Sequence, residues 1–283
     1  MNNPPKEKRQ IEILSLVEQH SHQYTIADLC DVFKVETATI HRDLKELREE
    51  GVRIHSTKKG IVLEKQLLRE EYNKFLYRYL TYSGSAIGYP KNISLTTKKL
   101  RSQSLNIFTS IVTAIEKRNE LALVYTKYSS SETVARIVHP YSLVATARDW
   151  RLITWSDGHF KQFLVENIKE IKILPTTFRV MKNFDLNKLY KTSFELWSGD
   201  EEYDVSLRFS SSVAKQIANG VWSEEQEIVH LEDGCVRLSM KVNSLEQIGK
   251  WIIAWGGNVV VEKPKQLKIF VQQVAKGFLE KNP

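Results

Sequence analysis

Thr37-Ala38-Thr39-Ile40-His41-Arg42-Asp43-Leu44-Lys45-Glu46-Leu47-Arg48-Glu49-Glu50 is the stretch whose reading decides the fold of the N-terminal part of this chain. Ile40, Leu44 and Leu47 fall at i, i+4 and i+7, which puts one aliphatic stripe along a helix and requires it to be buried. Ala38, His41, Arg42, Lys45 and Arg48 then project from the other side. Three basic side chains and a histidine on an exposed helical face are the chemistry that enters a DNA major groove. Thr37 is read as the N-cap of this helix, and the Thr37 and Thr39 hydroxyls are placed to hold phosphates.

The flanks supply the rest of a reading head. Upstream, Ile11, Ile13, Leu14 and Val17 predict a helix over Lys6 to Gln19, and Thr25 caps a second over Ile26 to Phe33 with Ile26, Leu29 and Phe33 on one face. Downstream of Gly51, Val52 to His55 and Gly60 to Leu63 are short strands, and Lys58 and Lys59 sit at the tip between them. Basic tips contact the phosphate backbone, which sets register and salt dependence without reading bases. Residues 1–65 therefore read as a winged helix-turn-helix, with Thr37, Thr39, His41, Arg42, Lys45, Arg48, Lys58 and Lys59 as its DNA contacts. The competing reading is a structural winged helix whose charges are merely solvated. The string Thr39-Ile40-His41-Arg42-Asp43-Leu44-Lys45-Glu46-Leu47 resembles the Thr-Ile-x-Arg-Asp-Leu-x-x-Leu signature of DeoR-type regulators, which favours DNA. Glu36 stands where that family commonly has a helix-capping serine.

Composition bounds the remainder. At 283 residues, 42% hydrophobic and 27% charged, the chain is an ordinary globular sequence of two or three domains. No apolar run approaches the roughly 20 residues of a membrane span and Met1 to Gln10 is polar, so a cytoplasmic protein without membrane association is expected. Cys30 and Cys235, the two cysteines, lie far apart in apolar surroundings and are expected to be buried thiols, with no disulfide and no metal site. The net charge of +7 is uneven: residues 1–65 carry 11 basic and 11 acidic side chains, residues 66–120 carry 9 and 4. A neutral reading head must owe any DNA affinity to where its charges sit rather than to their sum.

Leu68, Tyr72, Phe75, Leu76 and Tyr79 predict a helix over Glu64 to Tyr82 with an aromatic stripe, read as a packing surface toward a partner or the next domain. Arg69, Lys74 and Arg78 beside it leave nucleic-acid stacking as the alternative. Residues 83–104, rich in Ser, Gly, Thr and Lys, read as a hinge or loop, and Leu105 to Arg118 as a helix. Leu121 to Thr126, Ala135 to Val138, Ser142 to Ala147, Arg151 to Trp155 and Lys161 to Ile168 are short strands at close spacing, the pattern of a small β-barrel.

Here a second resemblance enters. Arg136-Ile137-Val138-His139-Pro140-Tyr141, Leu143-Val144, Trp150-Arg151-Leu152 and Phe160-Lys161-Gln162-Phe163 resemble a WYL domain, as do Phe184-Asp185-Leu186, Ser193-Phe194 and Trp197-Ser198-Gly199 beyond it. The His-Pro-Tyr and Phe-x-x-Phe segments look closest to regulators associated with phage-defence islands. The resemblance implies an Sm-like barrel that senses a nucleotide or single-stranded nucleic-acid effector. Its ligand-binding residues would be Tyr125, His139, Tyr141, Ser142, Trp150, Arg151, Lys161 and Phe163. Trp150, Leu152 and Phe163 at alternating positions read more readily as core than as ligand contacts, His139 before Pro140 has the look of a turn residue, and Arg151 and Lys161 read equally as an exposed barrel face or as ligand cations that adjacent strands could bring together. The motif's middle Tyr is replaced by Arg151 and a family arginine by Lys161, which exchanges a bidentate fork for a point charge; another family arginine is Asn167.

In the last third, Val205, Leu207 and Phe209, and Val236, Leu238, Met240 and Val242, alternate with polar residues as half-buried strands. Helices are predicted around Ser212 to Asn219 and Ser244 to Trp255, a strand at Asn258 to Glu262, and a final helix after Pro264 carrying Leu267, Phe270, Val271, Val274 and Phe278. This is a β-α-β-β-α-β order, ferredoxin-like, and with Trp222, Gln226, Trp251, Trp255-Gly256 and Leu267 it resembles the C-terminal extension of WYL regulators, expected to support a homodimer. The fold class is thus α+β multidomain: a DNA-binding head (1–65), a helical connector (66–118), a WYL sensing domain (119–200) and a dimerising extension (201–283). No P-loop, GxSxG, HExxH or histidine cluster supports an enzyme, a cofactor or a metal. The sequence reads as a transcriptional regulator, a repressor, on a double-stranded DNA operator; the alternative is an accessory nucleic-acid sensor working through the barrel.

Overall fold

A computed structural model describes residues 4–83, 90–127, 131–146, 149–182, 184–186, 201–223 and 225–282; Ser193-Phe194 and Trp197-Ser198-Gly199 lie outside them. The chain forms two compact units, Met1–Met181 and Lys182–Pro283.

The first unit opens with α1 (Lys6–Gln19), α2 (Ile26–Phe33) and α3 (Thr37–Glu49), followed by the hairpin β1 (Ile54–Thr57) and β2 (Gly60–Leu63). Thr25 caps α2 as expected, in a capping box with Asp28. Thr37 does not cap α3: the cap position is Glu36, without a side-chain bond, and Thr37 is the first helical residue. The hairpin is tied to the turn after α1, because the His22 N–H donates to the Ile61 carbonyl and the Ile61 N–H to that of Tyr24. Gly60 makes this approach possible: its φ is +130°, and a Cβ there would lie 2.4 Å from the His22 carbonyl oxygen.

Helix α4 begins at Arg69 and ends at Tyr82, five residues later than the periodicity predicts. Tyr72, Phe75, Leu76 and Tyr79 are buried within the chain itself, in a core shared with α1 and α6 (Gln103–Lys117), whereas Leu68 is exposed. The predicted hinge at 83–104 is corrected: Pro90–Leu100 is a helix, α5. Its threonines are the reason it looked like a loop, and they are satisfied internally, Thr96 donating to Glu166 at 2.6 Å and Thr97 to Asn73 at 2.6 Å.

Five antiparallel strands follow, β3 (Asn119–Thr126), β4 (Thr133–Ala145), β5 (Trp150–Ser156), β6 (His159–Leu164) and β7 (Ile168–Thr177), in the order β6-β5-β4-β3-β7. Two predicted strands are one, since β4 runs through both, and β7 had no sequence-based counterpart. His139 lies inside β4 rather than in a turn. A register shift between Pro140 and Ser142 bulges β4 at Tyr141 and reverses which residues face the helices beyond it. Helix α6 covers the inner face, where Phe108 meets Trp150 edge-on with ring centres 5.4 Å apart.

The second unit contains β8 (Tyr203–Phe209), α7 (Ser211–Ala218), β9 (Glu227–His230), β10 (Val236–Val242), α8 (Leu245–Ile253), β11 (Val259–Lys263) and α9 (Lys265–Lys281). Its sheet is antiparallel in the order β11-β8-β10-β9. Val205, Leu207 and Phe209 join Leu238, Met240, Ile217, Ile248, Ile252 and Leu267 in one core, and Trp251 and Trp255 meet Phe209 edge-on. Gly249 lets α9 approach α8, for a Cβ there would sit 2.5 Å from the Phe270 ring.

Candidate nucleic-acid interface and ligand surfaces

Polar contacts turn α3 so that Asp43, Glu46 and Glu50 face the protein, while Glu49 stays exposed. Arg9 of α1 grips the buried Asp43 carboxylate with two bonds, 2.6 Å from Nε and 3.1 Å from Nη2. Glu46 takes a bond of 2.6 Å from Gln10 and pairs with Lys6 at 3.2 Å, and the Lys6 bond holds its carboxyl below the usual range. At the end of the helix Glu50 pairs with Lys74 at 2.7 Å and Arg78 at 2.8 Å of α4. Burial pushes the Glu50 carboxyl up, and these two cations outweigh it, leaving a net lowering. Lys74 and Arg78, set beside the aromatic stripe, are thus committed to α3.

The opposite side of α3 is correspondingly basic. Thr37, His41, Arg42, Lys45 and Arg48 are exposed and Thr39 is half-buried. Lys45 pairs with the exposed Glu49 at 3.6 Å, a contact too solvated to immobilise it. Arg48 reaches the Ile54 carbonyl at 3.3 Å and fastens α3 to the wing. Lys58 and Lys59 are exposed at the wing tip, in a turn closed by the Thr57 hydroxyl donating to the Gly60 carbonyl at 2.8 Å. The sequence reading missed Arg9 and Asp43. The available signal was Asp43 itself, a carboxylate lying with Ile40, Leu44 and Leu47 on the side that must be buried.

The eight residues expected in a ligand pocket divide between the faces of the β3–β7 sheet. Strand register aligns Lys161 with Thr154 and Phe163 with Leu152 on the inner face, together with Trp150 and Tyr125. It aligns Arg151 with Val144 and His139 with Trp155 on the outer face, which also carries Ser142. Arg151 and Lys161 therefore do not converge, because residues of unlike parity on paired strands point apart. Each has a partner beside it: Asp149 grips Arg151 with two bonds of 2.8 Å, and Asp157 bonds Lys161. Trp150 is fully buried and Phe163, edge-on to Tyr125 at 4.9 Å, is nearly so. On the outer side the His139 ring bonds Glu120 at 3.1 Å and stacks on Phe178 at 4.8 Å, and Tyr141 meets Phe160 edge-on. The Tyr141 hydroxyl accepts from the Met181 N–H at 3.2 Å.

Cys30 and Cys235 are free and half-buried rather than fully buried. Among the described residues no group of three or more His, Cys, Asp or Glu side chains is arranged to hold a metal. None of the described helices is long and apolar enough to cross a membrane.

Comparison with known proteins agrees with this layout. Residues 9–62 match the HTH domain family, residues 106–173 the WYL domain family and residues 201–279 the WCX domain family. The uncharacterized HTH-type transcriptional regulator YobV of Bacillus subtilis (strain 168) is 26% identical over 206 residues, covering 59% of this chain and 65% of that protein. The chain thus spans just under two thirds of the length of that relative. Among solved structures, the proteasome accessory factor B/C (PafBC) of Arthrobacter aurescens aligns over 96% of this chain and 48% of its own at 16% identity, with a TM-score of 0.30. A CRISPR Cas-related protein aligns over 98% of this chain and 85% of its own at 11% identity, with a TM-score of 0.44. Those TM-scores are too low for either structure to inform the fold. Matches to the HTH, WYL and WCX domain families thus follow one another along the chain, which is similar in sequence to an HTH-type transcriptional regulator.

Proposed function

We propose that this chain binds a double-stranded DNA operator through α3 and its wing and represses transcription as a cytoplasmic homodimer. The observation that carries this reading is the sorting of charge on α3. Asp43, Glu46 and Glu50 are all drawn to α1 and α4, so a segment with as many acids as bases presents His41, Arg42 and Lys45 outward. Such a face meets base edges while Thr37, Thr39, Lys58 and Lys59 hold phosphates and Arg48 braces the wing. The head is read as DeoR-like. The WYL sheet is read as an Sm-like barrel sensing a nucleotide or single-stranded nucleic acid, and the order β11-β8-β10-β9 as a ferredoxin-like, dimerising extension. The boundaries 65, 118 and 200 are those of the four proposed functional segments.

A gel shift against the promoter upstream of the chain's own gene tests the reading, with Arg42→Ala and Lys45→Ala beside the parent. Each substitution is expected to weaken binding by about 1–3 kcal/mol where the side chain reads a base. Parent-like binding by both variants contradicts α3 as the reader. For the effector, Asp149 and Asp157 compete with any anion at Arg151 and Lys161, so Arg151→Ala and Lys161→Ala are titrated with nucleotides and short single strands. Equal affinity in parent and both variants removes these two cations from the site.

A further inference from the structure

A groove of about 690 Å³ opens between the end of α1, the start of α6 and the sheet. Gln19 and His20 come from α1, Asn106 from α6, and Leu123, Arg136 and Ile171 from β3, β4 and β7. The register pairs Leu123 with Arg136 on one side and with Ile171 on the other, so the three project from one face of the sheet in a row. Leu123 is buried in the core beneath the groove, so the half-buried Ile171 is the apolar side chain that the row leaves accessible, with the exposed Arg136 at the other end and Glu170 and Lys172 also on the lining.

We propose that this groove is the effector site, and that it takes a nucleoside monophosphate. The inference rests on the effector-sensing reading above and gives it a place and a ligand class. The volume lies in the range of small-molecule sites, roughly 300–1,000 Å³. Unlike Arg151 and Lys161, Arg136 makes no ion pair with any described residue; its guanidinium bonds only the neighbouring Ala135 carbonyl, at 3.1 Å. A guanidinium with an imidazole across the groove suits a single phosphoryl group. The Gln19 and Asn106 amides offer the paired donor and acceptor that the edge of a base requires, and Asn106 spends only its oxygen, on the Ser110 hydroxyl at 3.3 Å. The accessible side of Ile171 receives the face of the base.

The position also supplies a route to the reader. His20 ends α1, and two residues later His22, held at φ +63°, donates to the wing strand at Ile61. A ligand that pulls on His20 acts on the segment that fixes the wing. It shifts DNA affinity only in so far as it binds the DNA-competent arrangement more or less tightly than the other.

Isothermal titration of the full chain with the four 5′-nucleoside monophosphates tests the proposal, using the parent, Arg136→Ala and, as a control on an exposed cation outside the groove, Lys169→Ala. Arg136 is exposed, so its removal leaves the fold intact. The expected result is parent binding of at least one monophosphate, weakened on the order of 10-fold or more by Arg136→Ala and unchanged by Lys169→Ala. Asn106→Leu should also narrow the preference among the four bases. Parent binding that Arg136→Ala leaves unchanged overturns the groove while the effector reading stands. A second arm uses nucleoside triphosphates and a short single strand. Binding of these without any monophosphate overturns the proposal alone, and no binding of any probe overturns both the proposal and the effector reading.

Discussion

Each unit has an apolar core of its own, and the first adds a seam of buried polar side chains. In the first, Lys8, Arg9, Gln10, Ser15, Asp43, Thr109 and Glu166 are buried, whereas Asn243 is the buried polar side chain of the second among the described residues. Lys8, Arg9, Gln10 and Ser15 lie on α1, which meets α3 on one side and α4 and α6 on the other. Tyr79 donates to Glu12 at 2.9 Å, Tyr72 bonds Glu18, Ser15 and Thr109 share a bond of 2.9 Å, and Lys8 pairs with Glu116. Buried ion pairs add little net stability over apolar packing, yet breaking one is expensive. The polar seam therefore fixes the direction in which α3 faces, and the apolar core of the second unit supplies cohesion. A reader joined this way is part of the body, not a head swinging on a hinge.

Four perturbations separate the units. Phe209→Ala, in the second core, should cost that unit about 3–5 kcal/mol, by the same amount at pH 5 and pH 8 in urea melts. Asp43→Ala strands the Arg9 guanidinium and should cost the first unit a comparable ~3–5 kcal/mol, while the second unit's transition stays in place. Adding Arg9→Met should recover most of that loss, since an apolar replacement removes the stranded charge. If Asp43→Ala moves both transitions equally, the division into two chemistries fails.

A smaller effect depends on pH. Burial, against the opposing Tyr72 bond, raises the Glu18 carboxyl from an ordinary 4.5 to about 7. The folded chain then holds a proton that the unfolded chain has released, so first-unit stability falls as pH rises from 4.5 toward 7 and is level above it. Allowing for its partial exposure, the change is roughly 1–2 kcal/mol. Glu18→Gln should flatten the profile of the first unit and leave the second untouched; a profile as steep as the parent's removes Glu18 as the cause. Smallest of all, Lys58→Ala and Lys59→Ala should leave both melting transitions within about 0.5 kcal/mol. Each is expected to lower the salt dependence of DNA binding by about one counterion, measured as the slope of log affinity against log salt.

Periodicity made α1 to α3, the hairpin and the alternating strands of both sheets legible, because each has one face that must be dry. It failed on α5, where Thr96 and Thr97 are buried but satisfied by Glu166 and Asn73. Composition cannot tell such threonines from those of a loop. It failed again on the ligand residues: their types were readable, but the β5–β6 pairing that sends Arg151 to one face and Lys161 to the other, and the bulge at Tyr141 that puts His139 and Ser142 on the same face, are properties of register. Arg136 was quoted as part of a motif and given no role, since nothing local to it reveals that Arg151 and Lys161 are paired directly with aspartates while Arg136 has Glu132 and Asp157 only as more distant neighbours. Asp43 was the reverse case, visible in the helix pattern as a charge on the dry side, with its partner 34 residues away.

The central claim is that the buried Arg9–Asp43 pair and the partly exposed pairs of Glu46 and Glu50 hold these three acids toward the protein and so leave Arg42 and Lys45 to meet DNA. The most direct measurement is the affinity of the full chain for the promoter upstream of its gene, by gel shift, for the parent and the Arg42→Ala/Lys45→Ala double variant at matched salt. Sequence-specific parent binding, reduced on the order of 100-fold in the double variant with unchanged melting, is the result expected. Undiminished binding by a folded double variant would contradict it.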